Sequence, residues 1–215
     1  MGSYKQLKMK IYRTFLISAL ACFTLSAHAQ NSGSLQAIST LDVPRYLGRW
    51  YEIAKFPNSF QKDCASDTSA NYVLRPDGQI EVQNQCRLAD GRLKMAMGLA
   101  RQLGGPTSAK LEVRFAPAWL SFLPFVWGDY WVVDLDAGYE LVAVSEPGRQ
   151  YLWILSRTPV VDEARYKALL QRLIGMGLDV HKLEKSVQSP KPSTSVSFGN
   201  LDPALPTQAW AQSRM

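Results

Sequence analysis

Apolar and polar residues alternate with a period of two through most of the chain between residues 49 and 156. Such alternation is typical of β-strands with one buried face, and clusters of turn-forming residues separate the runs. Pro76, Asp77 and Gly78, for example, form a turn sequence in which the glycine supplies a positive φ. The pattern predicts eight strands, at residues 49–56, 69–74, 79–86, 92–101, 110–115, 130–135, 139–145 and 151–156. Short sequential strands with tight connections predict an all-β protein, either an antiparallel up-and-down barrel or a sandwich.

The period changes to 3.6 after residue 158, which predicts one α-helix after the strands. Thr158 is suited to cap this helix and Pro159 to its first position, and the acidic pair at 162–163 suits its positive end. The apolar stripe of the helix consists of Tyr166, Leu169, Leu170 and Leu173, and its end is marked by Gly175 and Gly177. A ninth strand is predicted at residues 179–187.

Residues 1–29 have the organisation of a secretory signal peptide. Four basic residues precede an apolar run at 14–25, which is too short to span a bilayer, and Ala27 and Ala29 form a cleavage site. Cleavage there leaves 20 basic and 18 acidic residues, a net charge of +2 instead of +6. The basic character therefore belongs mainly to the leader, and a nucleic-acid partner is disfavoured.

Cys22 offers a second processing site, because the small residues Ala19 and Ala21 near it are typical of a lipidated bacterial cysteine. The apolar run continues past Cys22, however, so soluble export to the periplasm after Ala29 is favoured over an outer-membrane lipoprotein. Either signal places the folded domain outside the cytoplasm. Residues 30–40 lead into the domain, and the Pro/Ser-rich composition of residues 189–215 predicts a disordered tail.

Gly48 and Trp50 open the first strand, and Arg157 closes the last one. A tryptophan can fill the closed end of a barrel while a guanidinium covers its ring by a cation–π contact. Together with Asp134, Asp136, Tyr139 and Ser156, in this order and spacing, these residues resemble the lipocalin family over residues 41–188. The most similar branch is that of the bacterial outer-membrane and apolipoprotein D-like lipocalins. The resemblance implies an eight-stranded barrel with one C-terminal helix packed outside and a short ninth strand.

The alternation also predicts which side chains face the interior of such a barrel. For the sixth and eighth strands, the register that the resemblance implies directs residues 130, 132 and 153 inward. Trp131 and Val133 are then expected to lie under the helix. The predicted ligand-binding residues are Ala70, Tyr72, Val82, Asn84, Gly98, Val113, Phe115, Tyr130, Val132 and Trp153. This apolar, aromatic set suits a fatty acid, a lysophospholipid or a similar lipid. The alternative is a barrel filled by its own side chains.

The connection at residues 119–127 contains seven large apolar residues and no charge. The resemblance places it at the open end, where it would act as a portal or touch a membrane, cap its own barrel, or form a dimer contact. The predicted portal residues are Phe60, Trp119, Phe122 and Phe125. The chain is accordingly expected to be a monomer or a weak homodimer.

Catalytic chemistry is not indicated. The mature chain has one histidine, His181, which excludes a His/Cys metal cluster, and no nucleophile–base pairing is visible. Cys64 and Cys86 are an even pair in an exported chain, which predicts a disulfide; two buried free thiols are the alternative. Asp136, with Asp134, is expected to hydrogen-bond the turn at Gly138. A non-enzymatic lipid-binding protein without cofactor or metal is therefore favoured over an interaction protein that docks through the 119–127 loop, and over a Cys64-dependent isomerase.

Overall fold

The computed structural model describes residues 33–189. The predicted signal peptide, the lipidation site at Cys22 and the tail beyond residue 189 lie outside the described residues. No helix within the described range is long and apolar enough to cross a bilayer.

The predicted all-β barrel is confirmed: eight antiparallel strands close on themselves, with each strand beside its neighbour in sequence. The strands are β1 (Gly48–Lys55), β2 (Ser66–Leu74), β3 (Ile80–Arg87), β4 (Leu93–Gln102), β5 (Lys110–Arg114), β6 (Gly128–Leu135), β7 (Leu141–Ser145) and β8 (Leu152–Ser156). A short β9 (Glu184–Lys185) pairs with β1. Helix α1 (Val43–Tyr46) packs its buried residues into the barrel core beside Trp50, and helix α2 (Glu163–Gly175) belongs to a separate core.

Strand β1 closes the barrel by pairing with β8 along one edge and with β2 and β9 along the other. Its first half pairs with β2, from Gly48 opposite Tyr72 to Tyr51 opposite Ser69. Its second half leaves β2 and pairs with β9, and the Ser186 N–H donates to the Ile53 carbonyl at 2.9 Å. Residues 184–189, which we call the seam segment, therefore fill a gap between β1 and β2.

Helix α2 packs its buried residues Tyr166, Leu169 and Leu173 onto the outer face of the barrel, in a second core with Val133 and Ile154. Trp131 packs against this core, as predicted. The burial of these apolar side chains stabilises the helix on the sheet.

The predicted start of the helix is wrong. The helix begins at Glu163, and its cap is Asp162, whose Oδ1 accepts a hydrogen bond from the Arg165 N–H at 2.9 Å. Thr158 does not cap the helix, because its hydroxyl donates to the Val160 carbonyl at 2.7 Å instead of accepting a helical N–H.

The ninth strand is also shorter than predicted. Asp179 caps a 3-10 helix at Val180–Lys182, because its carboxylate accepts the His181 N–H, and only Glu184–Lys185 pair as a strand. The short helix α1 had no counterpart in the sequence pattern.

Candidate functional site

The closed end of the barrel is built around Trp50, which is fully buried. The Arg157 guanidinium lies 3.9 Å from the centre of the Trp50 ring, and the Trp50 Nε1–H donates to the Tyr46 carbonyl at 2.8 Å. Arg157 also donates to the carbonyls of Arg49, Arg45 and Tyr139. The predicted contact between Trp50 and Arg157 is therefore present, and the guanidinium holds the main chain at three places around the ring.

Gly48 fits this arrangement for a conformational reason. Its φ is +90°, and a Cβ at this position would lie 3.5 Å from Nη1 of Arg157. Glycine adopts this backbone region without strain, so the strand can open directly against the guanidinium.

The two acidic residues at the end of β6 have different partners. Asp136 Oδ1 accepts the Glu140 N–H at 2.7 Å and the Leu141 N–H at 3.2 Å, so Asp136 holds the β6–β7 turn. Asp134 was expected to do the same, but it forms a bidentate ion pair with Arg172 of α2 at 2.6 and 2.8 Å. The Asp134–Arg172 pair fastens the helix to the barrel.

Three tyrosines form a floor above the closed end. The Tyr130 hydroxyl lies 2.7 Å from that of Tyr46 and 2.9 Å from that of Tyr72. Burial raises the pKa of Tyr72 to about 12 and raises the pKa values of Tyr46 and Tyr130 as well. The hydroxyls therefore stay protonated and serve as hydrogen-bonding groups.

The ladder pairs identify the inward wall. Ala70, Asn84 and Ala96 lie opposite one another, as do Tyr72, Val82 and Gly98 in the next row. Opposite residues of neighbouring strands share a face of the sheet, and Tyr72 and Val82 belong to the barrel core.

The interior changes from packed to accessible along the barrel. Predicted ligand residues in the packed part are Ala70, Tyr72, Val82 and Val132. Predicted ligand residues that keep partial exposure are Asn84, Gly98, Val113, Tyr130 and Trp153. Ala96 is exposed although its register position is inward. Side chains therefore fill the part of the interior towards Trp50, whereas the inward residues farther from Trp50 keep some exposure.

Phe115 lies one residue beyond the end of β5 and is 45% exposed. A Cβ on Gly98 would meet the Phe115 ring at 2.7 Å, so the ring lies on the face of the sheet to which Val82 points. Its inward direction agrees with the predicted alternation, although β5 ends at Arg114 and not at Phe115 as predicted.

Glu52, which the sequence analysis missed, is a buried carboxylate on the inner side of β1. Its Oε2 accepts from Gln61 Nε2 at 2.6 Å and its Oε1 from the Ser186 hydroxyl at 2.5 Å. Trp153 Nε1–H donates to Gln61 Oε1 at 3.0 Å, which extends the network across the open end. Burial raises the pKa of Glu52, and the hydrogen bonds from Ser186 and Gln61 oppose this effect. The sequence did offer one signal for its burial: Glu52 lies two residues after Trp50 and therefore on the same face of β1.

The predicted portal residues lie in two places. Phe60, in the 3-10 helix Ser59–Gln61, packs against Tyr151 and Trp153 at centroid distances of 5.6 and 6.2 Å. On the other connection, the exposed fractions of Trp119, Phe122 and Phe125 are 73, 75 and 79%. Because these three side chains point to solvent, they do not cap the barrel of their own chain.

Cys64 and Cys86 form a disulfide with an S–S distance of 2.04 Å, as predicted. The bond ties the connection after β1 to the end of β3. The hypothesis of a Cys64 nucleophile loses its support, because a disulfide sulfur is not a thiolate. Within residues 33–189, no group of three or more His, Cys, Asp or Glu side chains is placed to hold a metal ion.

Comparisons with known proteins agree on one family. The Lipocalin-like domain matches residues 41–188. Temperature-induced lipocalin-1 of Arabidopsis thaliana is 42% identical over 163 residues, covering 75% of this chain and 87% of that protein. Outer membrane lipoprotein Blc of Escherichia coli strain K12 is 40% identical over 146 residues, covering 67% and 78%. Apolipoprotein D of Mus musculus is 32% identical over 188 residues, covering 83% and 95%.

Among solved structures, insecticyanin of the tobacco hornworm Manduca sexta has a TM-score of 0.57 with 17% identity. The match covers 73% of this chain and 86% of that chain. At this identity the likeness concerns the fold alone, and it is the barrel described above.

Proposed function

Since the chain belongs to the lipocalin family, a family of generally non-enzymatic proteins that bind small hydrophobic ligands, we propose that it binds a fatty acid, a lysophospholipid or a similar amphipathic lipid in its barrel. In this proposal the protein stores or carries the lipid for maintenance of the cell envelope. It works without catalysis, cofactor or metal, and nucleic acid is not a partner.

The observation that carries the proposal is the partial exposure of inward residues in the part of the barrel away from Trp50. The wall of this part combines the small residues Ala96 and Gly98 with the aromatic residues Tyr130 and Trp153. The buried Oδ1 of Asn84 has no hydrogen-bond partner within the described residues, so a ligand hydroxyl could donate to it. Burial of a hydrocarbon chain in this space is favourable by about 25 cal/mol per Å² of apolar surface.

The site of action in this proposal is the envelope of the cell. A relative of 40% identity is named an outer membrane lipoprotein, and the leader of this chain has the pattern of an export signal. We favour a soluble periplasmic form cleaved after Ala29 over a form anchored through Cys22.

Native mass spectrometry tests the proposal on the full chain, purified from an exporting host without detergent. We expect an added mass typical of one single-chain lipid, which organic solvent releases. A clean apo mass that also fails to take up oleate or lysophosphatidylcholine would overturn the proposal. The same spectrum distinguishes a chain that begins at Gln30 from one that carries lipid on Cys22.

A matched pair of variants locates the bound lipid. Ala96→Trp places a large ring in the accessible interior and should abolish uptake. Met95→Trp is the control, because Met95 is the preceding residue and lies on the outer face of β4, where it is 57% exposed. Equal uptake by both variants would place the lipid outside the barrel.

The second candidate function is docking to a partner protein or a second copy through the 119–127 loop. The high exposure of Trp119, Phe122 and Phe125 favours it, because soluble monomers rarely expose such clusters. A dimer that persists at low concentration and takes up no lipid would support this candidate over the first. Contact of the same loop with a membrane would accompany lipid binding instead.

A further inference from the structure

Within residues 33–189 the ladders of the barrel wall are interrupted between β1 and β2 and between β4 and β5, and main chain of this range closes the first interruption but not the second. Between β1 and β2 the seam segment fills the gap, with Gln188 Nε2 donating to the carbonyls of Glu52 and Thr68 at 2.8 and 2.9 Å. Between β4 and β5 the ladder pairs run only from Leu99 to Gln102. Residues 93–98 of β4, which pair fully with β3, have no ladder partner on the other side in the described part of the chain.

The second interruption follows from the short β5. The chain leaves the sheet after Arg114, because the Arg114 guanidinium donates to the Ala116 carbonyl and stacks 5.2 Å from the centre of the Trp127 ring. Arg101 of β4 lies 4.2 Å from the same ring on the outer face of the barrel. The base of the 119–127 loop is thus held outside the wall, and the loop cannot pair with β4.

A groove of about 530 Å³ lies on the outer surface at this interruption. Met97, Leu99 and Ala118 supply apolar surface to it, whereas Arg75 and Glu81 are among its polar lining residues. Gly98 also lines the groove, although its missing side chain would point to the interior. The groove therefore reaches the barrel wall at Gly98, a residue without a side chain, whose inner side faces the Phe115 ring and the Arg114 carbonyl.

On the inner side of the wall, the Phe115 ring packs directly against Gly98. A Cβ at Gly98 would lie 2.7 and 2.8 Å from two carbons of this ring, closer than real side chains approach. Phe115 belongs to no strand and its ring is 45% exposed. An aromatic side chain seated on a glycine, without backbone pairing behind it, can rotate away without breaking the sheet.

We propose that this interruption is a lateral entrance to the barrel for the hydrocarbon chain of an amphipathic lipid, with the Phe115 ring as its gate. The lipid lies first in the outer groove, with its head group beside the charged residues and its chain along Met97 and Leu99. When the Phe115 ring moves, the chain passes over Gly98 towards Ala96. The proposal rests on the proposed function, because it requires that a lipid binds inside.

Stopped-flow fluorescence with cis-parinaric acid, a fluorescent fatty acid, tests the entrance. Phe115→Ala should accelerate uptake and release together, by roughly three- to tenfold, because removing a gate lowers the barrier for both directions. The dissociation constant should change much less than either rate. Phe60→Ala, at the open end of the barrel, should accelerate lipid exchange less than Phe115→Ala does. Met95→Ala, on the outer face, serves as the matched control, and thermal unfolding verifies that each variant is folded.

The outcomes are separable. Acceleration by Phe115→Ala in both directions, larger than that by Phe60→Ala, supports the lateral entrance. Faster release with unchanged uptake would show that Phe115 is a ligand contact and would overturn the gate, as would equal or larger acceleration by Phe60→Ala. Failure of the wild type to bind any fatty acid would overturn the proposed function and the entrance together, whereas unchanged rates with intact binding would overturn the entrance alone.

Discussion

At the scale of single residues, Arg157 shows how a cation can stabilise an apolar closure. Its guanidinium covers Trp50 and satisfies backbone carbonyls that the barrel end would otherwise leave open. Burial lowers its pKa, with Tyr46 and Tyr72 opposing the effect, and no ion pair involving Arg157 is found in the described part of the chain. Arg157 therefore stabilises the barrel end through its hydrogen bonds to carbonyls and its contact with the Trp50 ring, and both depend on the planar fork of the guanidinium.

Arg157→Ala should lower the free energy of unfolding by about 2 kcal/mol, because it removes hydrogen bonds from a charged donor and the contact with Trp50. Arg157→Lys should recover less than half, since an amine cannot reach all these carbonyls. Urea unfolding measures both. Lipid affinity should change less than stability; unaltered stability with lost binding would contradict the structural role.

Glu52 is the residue whose ionisation the fold opposes. Burial raises its pKa above the usual 4.5, so the folded state holds the proton more tightly than the unfolded state. Stability from this group is therefore full below pH 4.5 and is lost as the pH rises through the raised pKa. Around it, Lys55 pairs with Glu184, and Asp67 accepts hydrogen bonds from Ser189 that lower the pKa of Asp67.

Glu52→Gln should flatten this part of the pH profile. Chemical unfolding between pH 4 and 7 should show the wild type losing on the order of 1 kcal/mol more than the variant over the window. Glu184→Gln is the control, because the Glu184 side chain is 58% exposed and pairs with Lys55 outside the buried network around Glu52. Parallel profiles for wild type and Glu52→Gln would show that Glu52 does not titrate in this range.

At the scale of elements, the seam segment is more important than its two-residue strand suggests. It supplies the backbone partner of Ile53, the amide that bridges Glu52 to Thr68, and the Ser189 N–H that donates to Asp67 at 2.7 Å. These bonds connect the second half of β1 to the start of β2, which do not pair directly.

A chain ending at Leu183 should therefore be much less stable than a chain ending at Ser189, as measured by thermal unfolding. Because the shorter chain could fail to fold, Gln188→Ala provides a milder test. It should lower the unfolding free energy by roughly 1 kcal/mol, since it removes only the bridging amide. Equal stability of the two truncated chains would show that the barrel closes without the seam.

The elements differ in how well the sequence predicts them, for a physical reason. The eight barrel strands follow from local alternation, and the bounds of β1, Gly48–Lys55, differ by one residue from the prediction. The start of α2 was placed too early, because Thr158 and Asp162 are both local candidates for the cap and the Thr158 hydroxyl donates to the Val160 carbonyl instead. Glu52 was missed because its partner Ser186 lies 134 residues away in sequence.

At the scale of the whole molecule, the closed and open ends have different predictability. The residues of the closed end, Gly48, Trp50 and Arg157, were placed correctly because one motif fixes their geometry. At the open end, alternation gave the inward direction of Phe115 but not the interruption beside it. That interruption depends on where β5 stops pairing with β4. The pairing ends at Arg114, whose guanidinium contacts the Trp127 ring at the base of the 119–127 loop.

The seam segment also orders the events of biosynthesis. A nascent chain that has emerged through β8 contains all eight barrel strands, yet the second half of β1 still lacks residues 184–189, which follow up to 136 positions later. Such a long separation makes closure a late and slow step of folding. Until residues 184–189 bind, a lipid present where the chain folds would meet an open wall between β1 and β2.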